Sequence, residues 1–336
     1  MNQSILIMRI LYSIFMLSCC LCIASCATDP VFPREYTIKQ ELMRLQGITN
    51  AVNVEVKHPF LMIWNFDRND SLLHIYDVTT HELKHAFGIK GRGPGEFINP
   101  WFLKSQLSDF LIYNNKMVYQ FGIDEEGVPI LLGVKEPNYI GDIYGASFIN
   151  DTLFVLDAQY LAPSLYVLSI HDELPRKVLP YRNPDIRDYI IDPNSGYVYA
   201  NESRIAFCYQ FKKQIDFMDI DLNLIKRVKF KYDHPTGIIV DEGNQKVSYT
   251  LGYLGKRYLY VLFFGKSWRA FRALPIDSGI FLEVFDLDGN PVVKYRLDGL
   301  GPEHFVVDEE TFTLYGVGWD RAPEDHLLMY QLVGLK

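Results

Sequence analysis

Apolar and polar residues alternate with a period of two along most of the chain from Val52 onward. The segments Leu72–Asp77, Met117–Phe121 and Ile280–Asp286 show the alternation clearly. Side chains of a β-strand point alternately to its two faces, so these segments predict half-buried strands. No long segment has the period of an amphipathic helix, and the pattern therefore predicts an all-β domain.

One large apolar residue recurs in each of six clusters of strands. These six anchors are Tyr76, Tyr119, Tyr166, Met218, Phe285 and Tyr330. They lie 43 to 67 residues apart, and a proline follows each of the first five after 17 or 18 residues. Proline lacks an N–H and suits a connection between sheets better than a strand interior. Units of this length predict the blades of a six-bladed β-propeller.

The last blade needs a strand from elsewhere in the chain, because Tyr330 lies only six residues before the C-terminus. We expect this strand within Tyr36–Lys57, where it would close the ring and remove an open sheet edge. Deletion of residues 31–57 is therefore expected to prevent the domain from folding.

The N-terminus has the layout of a secretory signal peptide. Arg9 precedes an apolar run from Ile10 to Ala24, and Met8 is an alternative start that would place this charge at the beginning. The run ends in Ile23-Ala24-Ser25-Cys26, which resembles the lipobox of bacterial lipoproteins. That resemblance implies cleavage between Ser25 and Cys26 and lipid attachment to Cys26. An uncleaved anchor is the alternative, although the run barely reaches the ~20 residues needed to span a bilayer.

The predicted organisation is a signal peptide (1–25), a lipid-anchored tether (26–35) and a propeller domain (36–336). The lipid on Cys26 would make the membrane a partner and place the protein in the cell envelope. Ala27 lacks the acidic character that retains enterobacterial lipoproteins in the inner membrane. We therefore expect an outer-membrane lipoprotein, facing either the periplasm or the exterior.

The segment Phe87–Phe97 contains Gly91-Arg92-Gly93-Pro94-Gly95-Glu96-Phe97, and Gly299–Phe305 repeats its G-x-G-P-x-x-F pattern. With Pro59-Phe60-Leu61 and Tyr76-Asp77 before it, this segment resembles the TolB-like (NHL-like) six-bladed propeller lipoproteins, and the repeats extend the resemblance over residues ~50–336. The resemblance implies a six-bladed propeller fold and export of the protein, and it implies no catalytic motif.

Composition narrows the functional classes. A formal net charge of −8 disfavours nucleic acid as a partner, because nucleic-acid-binding proteins are usually basic. Four of the five cysteines lie between Cys19 and Cys26, so the domain has no disulfide framework. The remaining cysteine, Cys208, lies in an apolar run and is expected to be a buried thiol.

Three motifs suggest chemistry that their context disfavours. The segment His81–His85 matches the zinc-binding motif H-E-x-x-H. We predict a hairpin here, on which the two histidines would stand ~13 Å apart and could not share a zinc ion. Gly91–Gly95 lacks the end of a phosphate loop and predicts a tight connection between blades, with Arg92 as an exposed contact. Asp286–Asn290 predicts a hairpin turn rather than a calcium loop.

The longest interval between anchors contains the segment 264–275, which mixes aromatic and basic residues. Long insertions on rigid scaffolds are often functional, and Trp and Arg are frequent in interface hot spots. The candidate binding residues here are Lys266, Trp268, Arg269, Phe271 and Arg272. The alternative is an insertion that packs back over its blade, with Trp268 and Phe271 as anchors.

The sequence favours a binding module over an enzyme, with a protein, peptide or glycan as the partner. It contains no recognisable catalytic residues, and no metal or other cofactor is predicted. The alternative is a lactonase-like hydrolase or a lyase with a metal in the axial channel of the propeller. A third interpretation is a structural component of an envelope complex. Clustered carboxylates and histidines in the channel would favour the enzyme.

Overall fold

Short strands joined by tight turns account for most of the chain. The computed structural model describes residues 29–66, 71–93, 95–139, 141, 143, 145–158, 164–186, 191–231, 237, 239, 241, 243–273, 279–319 and 322–336. Ser25 and Cys26, with the predicted signal peptide, lie outside these residues. Within the described part of the chain, no helix is both long enough and apolar enough to cross a membrane.

Residues Val31–Lys336 form one compact unit. Its strands are β1 (Glu35–Lys39), β2 (Glu41–Arg44), β3 (Ala51–Lys57), β4 (Phe60–Asn65), β5 (Leu73–Asp77), β6 (Leu83–Phe87), β7 (Trp101–Ser105), β8 (Phe110–Asn114), β9 (Met117–Ile123), β10 (Pro129–Lys135), β11 (Ser147–Phe148), β12 (Leu153–Asp157), β13 (Ser164–Ser169), β14 (Lys177–Pro180), β15 (Gly196–Ala200), β16 (Ile205–Tyr209), β17 (Gln214–Met218), β18 (Leu224–Lys229), β19 (Lys246–Leu254), β20 (Tyr258–Ser267), β21 (Phe281–Asp286), β22 (Pro291–Asp298), β23 (Pro302–Asp308), β24 (Thr313–Gly318) and β25 (His326–Gln331). A single short helix, α1 (Trp268–Arg272), lies among the described elements.

The strands form six antiparallel meanders, which are the blades of a propeller. Blades one to five are β3–β6, β7–β10, β11–β14, β15–β18 and β19–β22, each running from the axis to the rim. Blade six contains β23, β24 and β25. All six predicted anchors lie on the third strand of their blade, so the alignment of the repeats from the sequence is confirmed. The all-β, six-bladed prediction is therefore confirmed.

A strand from the N-terminus completes blade six, as predicted. Strand β2 pairs antiparallel with β25, and Glu41 lies opposite Met329. Met43 on β2 is buried, whereas Leu42 beside it is 48% exposed. The alternation shows that β2 contributes one face to the core of the blade.

The N-terminal segment also adds a strand that the sequence did not reveal. Strand β1 pairs in parallel with β22 and becomes a fifth, outermost strand of blade five. Between β1 and β2, the side-chain oxygen of Gln40 accepts a hydrogen bond from the Leu300 N–H at 2.7 Å. The Leu300 carbonyl in turn accepts one from the Tyr330 hydroxyl at 2.5 Å. The segment therefore joins blades five and six at the rim.

The turns follow the sequence predictions. His81 lies in a turn with a φ of 59°, and His85 lies on the outer strand β6, so the H-E-x-x-H segment is a hairpin and not a helix. Gly95, with a φ of 77°, lies in the connection between blades one and two. In the hairpin between β21 and β22, Gly289 has a φ of 74°, which glycine adopts without steric cost. Asp286 accepts two backbone hydrogen bonds in that turn.

The core of the domain lies between neighbouring blades. Tyr76, Phe285 and Tyr330 are fully buried there, because each side chain lies on the face of its blade that packs against the next one. Cys208 is a buried free thiol, as predicted. Burial raises the pKa of this thiol above its ordinary value, which keeps it protonated.

Candidate functional site

An axial cavity of about 610 Å³ lies where the inner strands of the blades converge. Strands β3, β7, β15, β19 and β23 line it, together with the connection before β11 and the end of β12. Several of these strands contribute residues two positions apart, such as Tyr197 and Tyr199 on β15, because alternate side chains share one face. The aromatic lining residues are Trp101, Phe102, Tyr139, Tyr197, Tyr199, Tyr253 and Phe305, and the principal polar ones are Asn53, Glu55, Lys104, Asp157 and His304.

Lys104 is a basic side chain in the wall of the cavity. Its ammonium lies 4.1 Å from the centroid of the Tyr199 ring and donates a weak hydrogen bond of 3.4 Å to the Gly252 carbonyl. Burial, opposed by the charge of Glu55, lowers the pKa of Lys104 to about 8. At neutral pH most of the population therefore carries a positive charge in an apolar, aromatic environment.

Glu55 and Lys57 form an ion pair beside Lys104. The Lys57 ammonium lies 3.5 Å from the Glu55 carboxylate and also donates to the Ser105 carbonyl. Burial raises the pKa of Glu55 and lowers that of Lys57, and the attraction between the two groups opposes both shifts. The single carboxylate of Glu55 therefore faces two ammonium groups, those of Lys57 and Lys104, and one positive charge remains to be balanced.

His304 adds a neutral polar group to the same cavity. Its ring packs edge-on against Trp101, with centroids 5.8 Å apart. Burial, together with the charge of Lys104, lowers the pKa of His304 to about 4, so the imidazole is uncharged at neutral pH. On the side of blade three, Asp157 accepts a hydrogen bond of 2.5 Å from the Tyr181 hydroxyl. Within the described part of the chain, no group of three or more His, Cys, Asp or Glu side chains is arranged to hold a metal ion.

Two asparagine side chains cap the connections that lead into the inner strands β3 and β7. The buried amide oxygen of Asn65 accepts backbone hydrogen bonds from Thr49 and Asn50, ahead of β3. That of Asn114 accepts hydrogen bonds from Ile98 and Asn99, ahead of β7. Both asparagines end the second strand of their blade. These contacts fix the start of β3 and of β7 and hence help to position the lining residues on these two strands.

The residues that the sequence suggested as binding contacts lie outside the lining of the axial cavity. Arg92 is exposed in the connection between blades one and two. The neighbouring Gly93 N–H donates to the Glu96 carboxylate at 2.6 Å, which closes this turn. The tight connection between blades is thus confirmed, and the role of Arg92 as a contact stays a prediction.

The segment 264–275 folds back onto blade five. Trp268 and Phe271 of α1 pack against Phe264, with centroids 4.9 and 4.5 Å apart, and both also contact Trp319. This arrangement favours the packing alternative for the two aromatic residues. Leu274 and Pro275 lie outside the described residues.

The basic residues of the same segment differ in their surroundings. Lys266 donates to the Gly279 carbonyl at 3.3 Å. Arg269 and Arg272 are exposed on α1. A binding role for these cations stays a prediction.

Glu55, Lys104 and His304 were missed because they lie far apart in the sequence. A local signal was nevertheless present for Lys104, which interrupts an apolar strand in Trp101-Phe102-Leu103-Lys104-Ser105. A lysine inside such a strand is unusual, because charged side chains are rarely buried without a function or a partner.

Comparison with known proteins supports the fold. Residues 194–310 match the family model of the TolB-like six-bladed propellers, so the resemblance seen in the sequence is confirmed for this part of the chain. The matched part begins just before β15 and ends just after β23. No curated protein matches the chain in sequence.

Two solved structures resemble the whole domain. A protein of Bacteroides fragilis described as exported aligns over 88% of this chain and 98% of its own, with 11% identity and a TM-score of 0.53. A member of the DUF4221 family from Bacteroides vulgatus aligns over 90% of this chain and 97% of its own, with 13% identity and a TM-score of 0.56. At such identities the similarity shows the fold alone.

Proposed function

We propose that this chain is an exported binding protein that holds its ligand in the axial cavity of the propeller. The observation that carries the proposal is the cavity itself. Its volume of about 610 Å³ is within the usual range of sites for small molecules, and aromatic rings and a few polar groups line it. A ring of blades is rigid, so the lining is positioned before the ligand arrives. A small molecule, or the end of a peptide or glycan, fits this volume.

A substitution that fills the cavity tests this proposal. Gly145 lies in the exposed part of the lining, and a Cβ atom added to it meets no atom within 4 Å, so Gly145→Trp adds an indole at the cavity without a clash at Cβ. Gly133 on the outer strand β10 is equally open and provides the matched control, Gly133→Trp. Libraries of metabolites, glycans and short peptides are screened by thermal shift, and hits are measured by calorimetry.

We expect Gly145→Trp to weaken binding of the hits at least tenfold and Gly133→Trp to leave it unchanged. Melting temperatures of the two free variants show whether either substitution disturbs the fold. Hits that bind both variants as tightly as the original protein would place the ligand site elsewhere and refute the proposal.

Export and lipid attachment form the second part of the proposal. The apolar run Ile10–Ala24, the Ser25-Cys26 junction and the structural similarity to a protein described as exported support it. Lipid on Cys26 would tether the propeller to a membrane, which we propose is the outer membrane. The tether would raise the effective concentration of the propeller near ligands at that surface.

Fractionation of cells tests the anchor. In the natural host, Cys26→Ser should abolish incorporation of labelled fatty acid and move the mature protein out of the outer-membrane fraction. Cys20→Ser lies within the predicted signal peptide and is the matched control, expected to keep both properties. Unchanged labelling of Cys26→Ser would disprove lipid attachment at this residue.

A further inference from the structure

We infer that the axial cavity binds a small organic acid that carries a ring, with its carboxylate on the Lys104 ammonium and its ring against the aromatic wall. This inference rests on the proposed function, since it requires the cavity to be a ligand site. It adds the chemical class of the ligand and the residue that recognises it.

The hydrogen-bonding capacity of Lys104 is the first support. An ammonium has three donors, and the described residues supply one weak hydrogen bond, to Gly252, and the face of the Tyr199 ring. The side chain is partly accessible from the cavity, so the remaining donors can reach a ligand. A carboxylate would accept charge-assisted hydrogen bonds from them, and these are stronger than bonds between neutral groups.

The balance of charge around Lys104 is the second support. Of the two carboxylates in the cavity lining, Glu55 is already paired with Lys57, and Asp157 lies on the side of blade three, where it accepts a hydrogen bond from the Tyr181 hydroxyl. His304 is neutral at physiological pH and adds no further positive charge to that of Lys104. Burying a cation is unfavourable unless an anion balances it, so the cavity is electrostatically complementary to an anionic group placed at Lys104.

The aromatic wall determines the rest of the ligand. Tyr199, whose ring contacts the Lys104 ammonium, lies on β15, and Trp101 and Tyr253 line the cavity from β7 and β19. Aromatic residues pack against planar rings and against the apolar faces of sugars. Both an aromatic acid and a uronic acid therefore combine the required carboxylate with a suitable ring.

Paired probes separate the effect of charge from that of shape. 4-Hydroxyphenylacetate and galacturonate are titrated against the full propeller domain by calorimetry, each beside its uncharged amide. The two acids distinguish an aromatic from a sugar ligand. Lys104→Met removes the ammonium but keeps an apolar side chain of similar length, and Lys39→Met on the exposed strand β1 is the control.

We expect at least one acid to bind tenfold or more tightly than its amide. Lys104→Met should abolish this preference, and Lys39→Met should preserve it. Equal affinity for acid and amide, a preference that survives in Lys104→Met, or no binding of either acid up to about 10 mM would overturn the inference. Neutral library hits that Gly145→Trp excludes would still support the proposed function, so the two failures are distinguishable.

The pH dependence of binding gives a second test that needs no variant. As the pH rises above 8, Lys104 loses its proton, and affinity for the acid should fall by up to tenfold per pH unit while affinity for the amide stays constant. Lys104→Met should remove this dependence if Lys104 causes it. The titratable groups that act on Lys104, line the cavity with it or pair with these residues are Glu55 and Lys57 on β3, Tyr139 before β11, Asp157 on β12, Tyr197 and Tyr199 on β15, Cys208 on β16, Tyr253 on β19 and His304 on β23. A flat profile for the acid would contradict the assignment.

Discussion

Replacing Lys104 with methionine should stabilise the unliganded protein. The pKa of Lys104 falls from the ordinary 10.5 to about 8 on folding. One pKa unit corresponds to about 1.4 kcal/mol, so burying the ammonium costs at most about 3 kcal/mol at neutral pH. The lost contact with the Tyr199 ring offsets this by about 1 kcal/mol. We therefore expect the free energy of unfolding of Lys104→Met to exceed that of the original protein by about 2 kcal/mol.

The effect should depend on pH in a defined direction. The unfolded chain holds the Lys104 proton up to pH 10.5, whereas the folded protein releases it near pH 8. Below pH 8 the cost of the charge is fully present, and it disappears as the pH approaches 10.5. Urea unfolding at pH 7, 8, 9 and 10 should show the advantage of Lys104→Met shrinking with each step above pH 8.

Lys39→Met is the control for this series, because Lys39 is exposed on β1. Its free energy of unfolding should stay within ~0.5 kcal/mol of the original at every pH. If Lys104→Met is destabilised by more than about 1 kcal/mol at pH 7, the ammonium contributes to the fold, and the reasoning about an unbalanced charge is wrong.

Two further substitutions test the packing. Met43→Ala should lower the free energy of unfolding by about 2–4 kcal/mol, since it opens a cavity beneath the strand that completes blade six, whereas Leu42→Ala on the exposed face should change it by less than ~0.5 kcal/mol. Equally small effects of both substitutions in urea titrations would show that the packing of β2 is not essential to the ring. Trp268→Ala should lower the melting temperature by several degrees because the indole packs on Phe264, and Arg269→Ala should not. An unchanged melting temperature for Trp268→Ala would instead support a contact role for this residue.

The repeat of the propeller could be predicted from the sequence because its signal is local. The large apolar anchors occupy the third strand of each blade, where alternation exposes one face to the next blade, and Phe285 and Tyr330 are fully buried as a result. The need for an N-terminal strand in blade six followed from the number of residues after Tyr330, since too few follow it to form another strand. The repeat of the anchors and the strand that completes blade six could therefore both be inferred from residue positions along the chain alone.

The candidate site could not be predicted in the same way. Glu55 and His304 lie about 250 residues apart in the sequence, and only the closed ring brings their strands to one axis. Strand β1 was missed for a related reason: its partner, β22, lies far along the chain, and Ile38 is its only buried residue. Contacts between segments so far apart in the chain produce no regular residue spacing that could be recognised in the sequence. The available signal was Lys104, a charged residue inside an apolar strand.

The pairing of β2 with β25 determines when blade six can be completed during biosynthesis. Glu41 is synthesised well before its partner Met329, which lies about 290 residues further along the chain. Bringing two such distant segments together costs on the order of 5 kcal/mol in chain entropy. Until the two strands pair, β2 lacks its neighbour and blade six lacks its edge strand, so the newly synthesised chain exposes surfaces that are prone to aggregation. We therefore expect the ring to close only after β25 has been synthesised and the chain to depend on chaperones until it does.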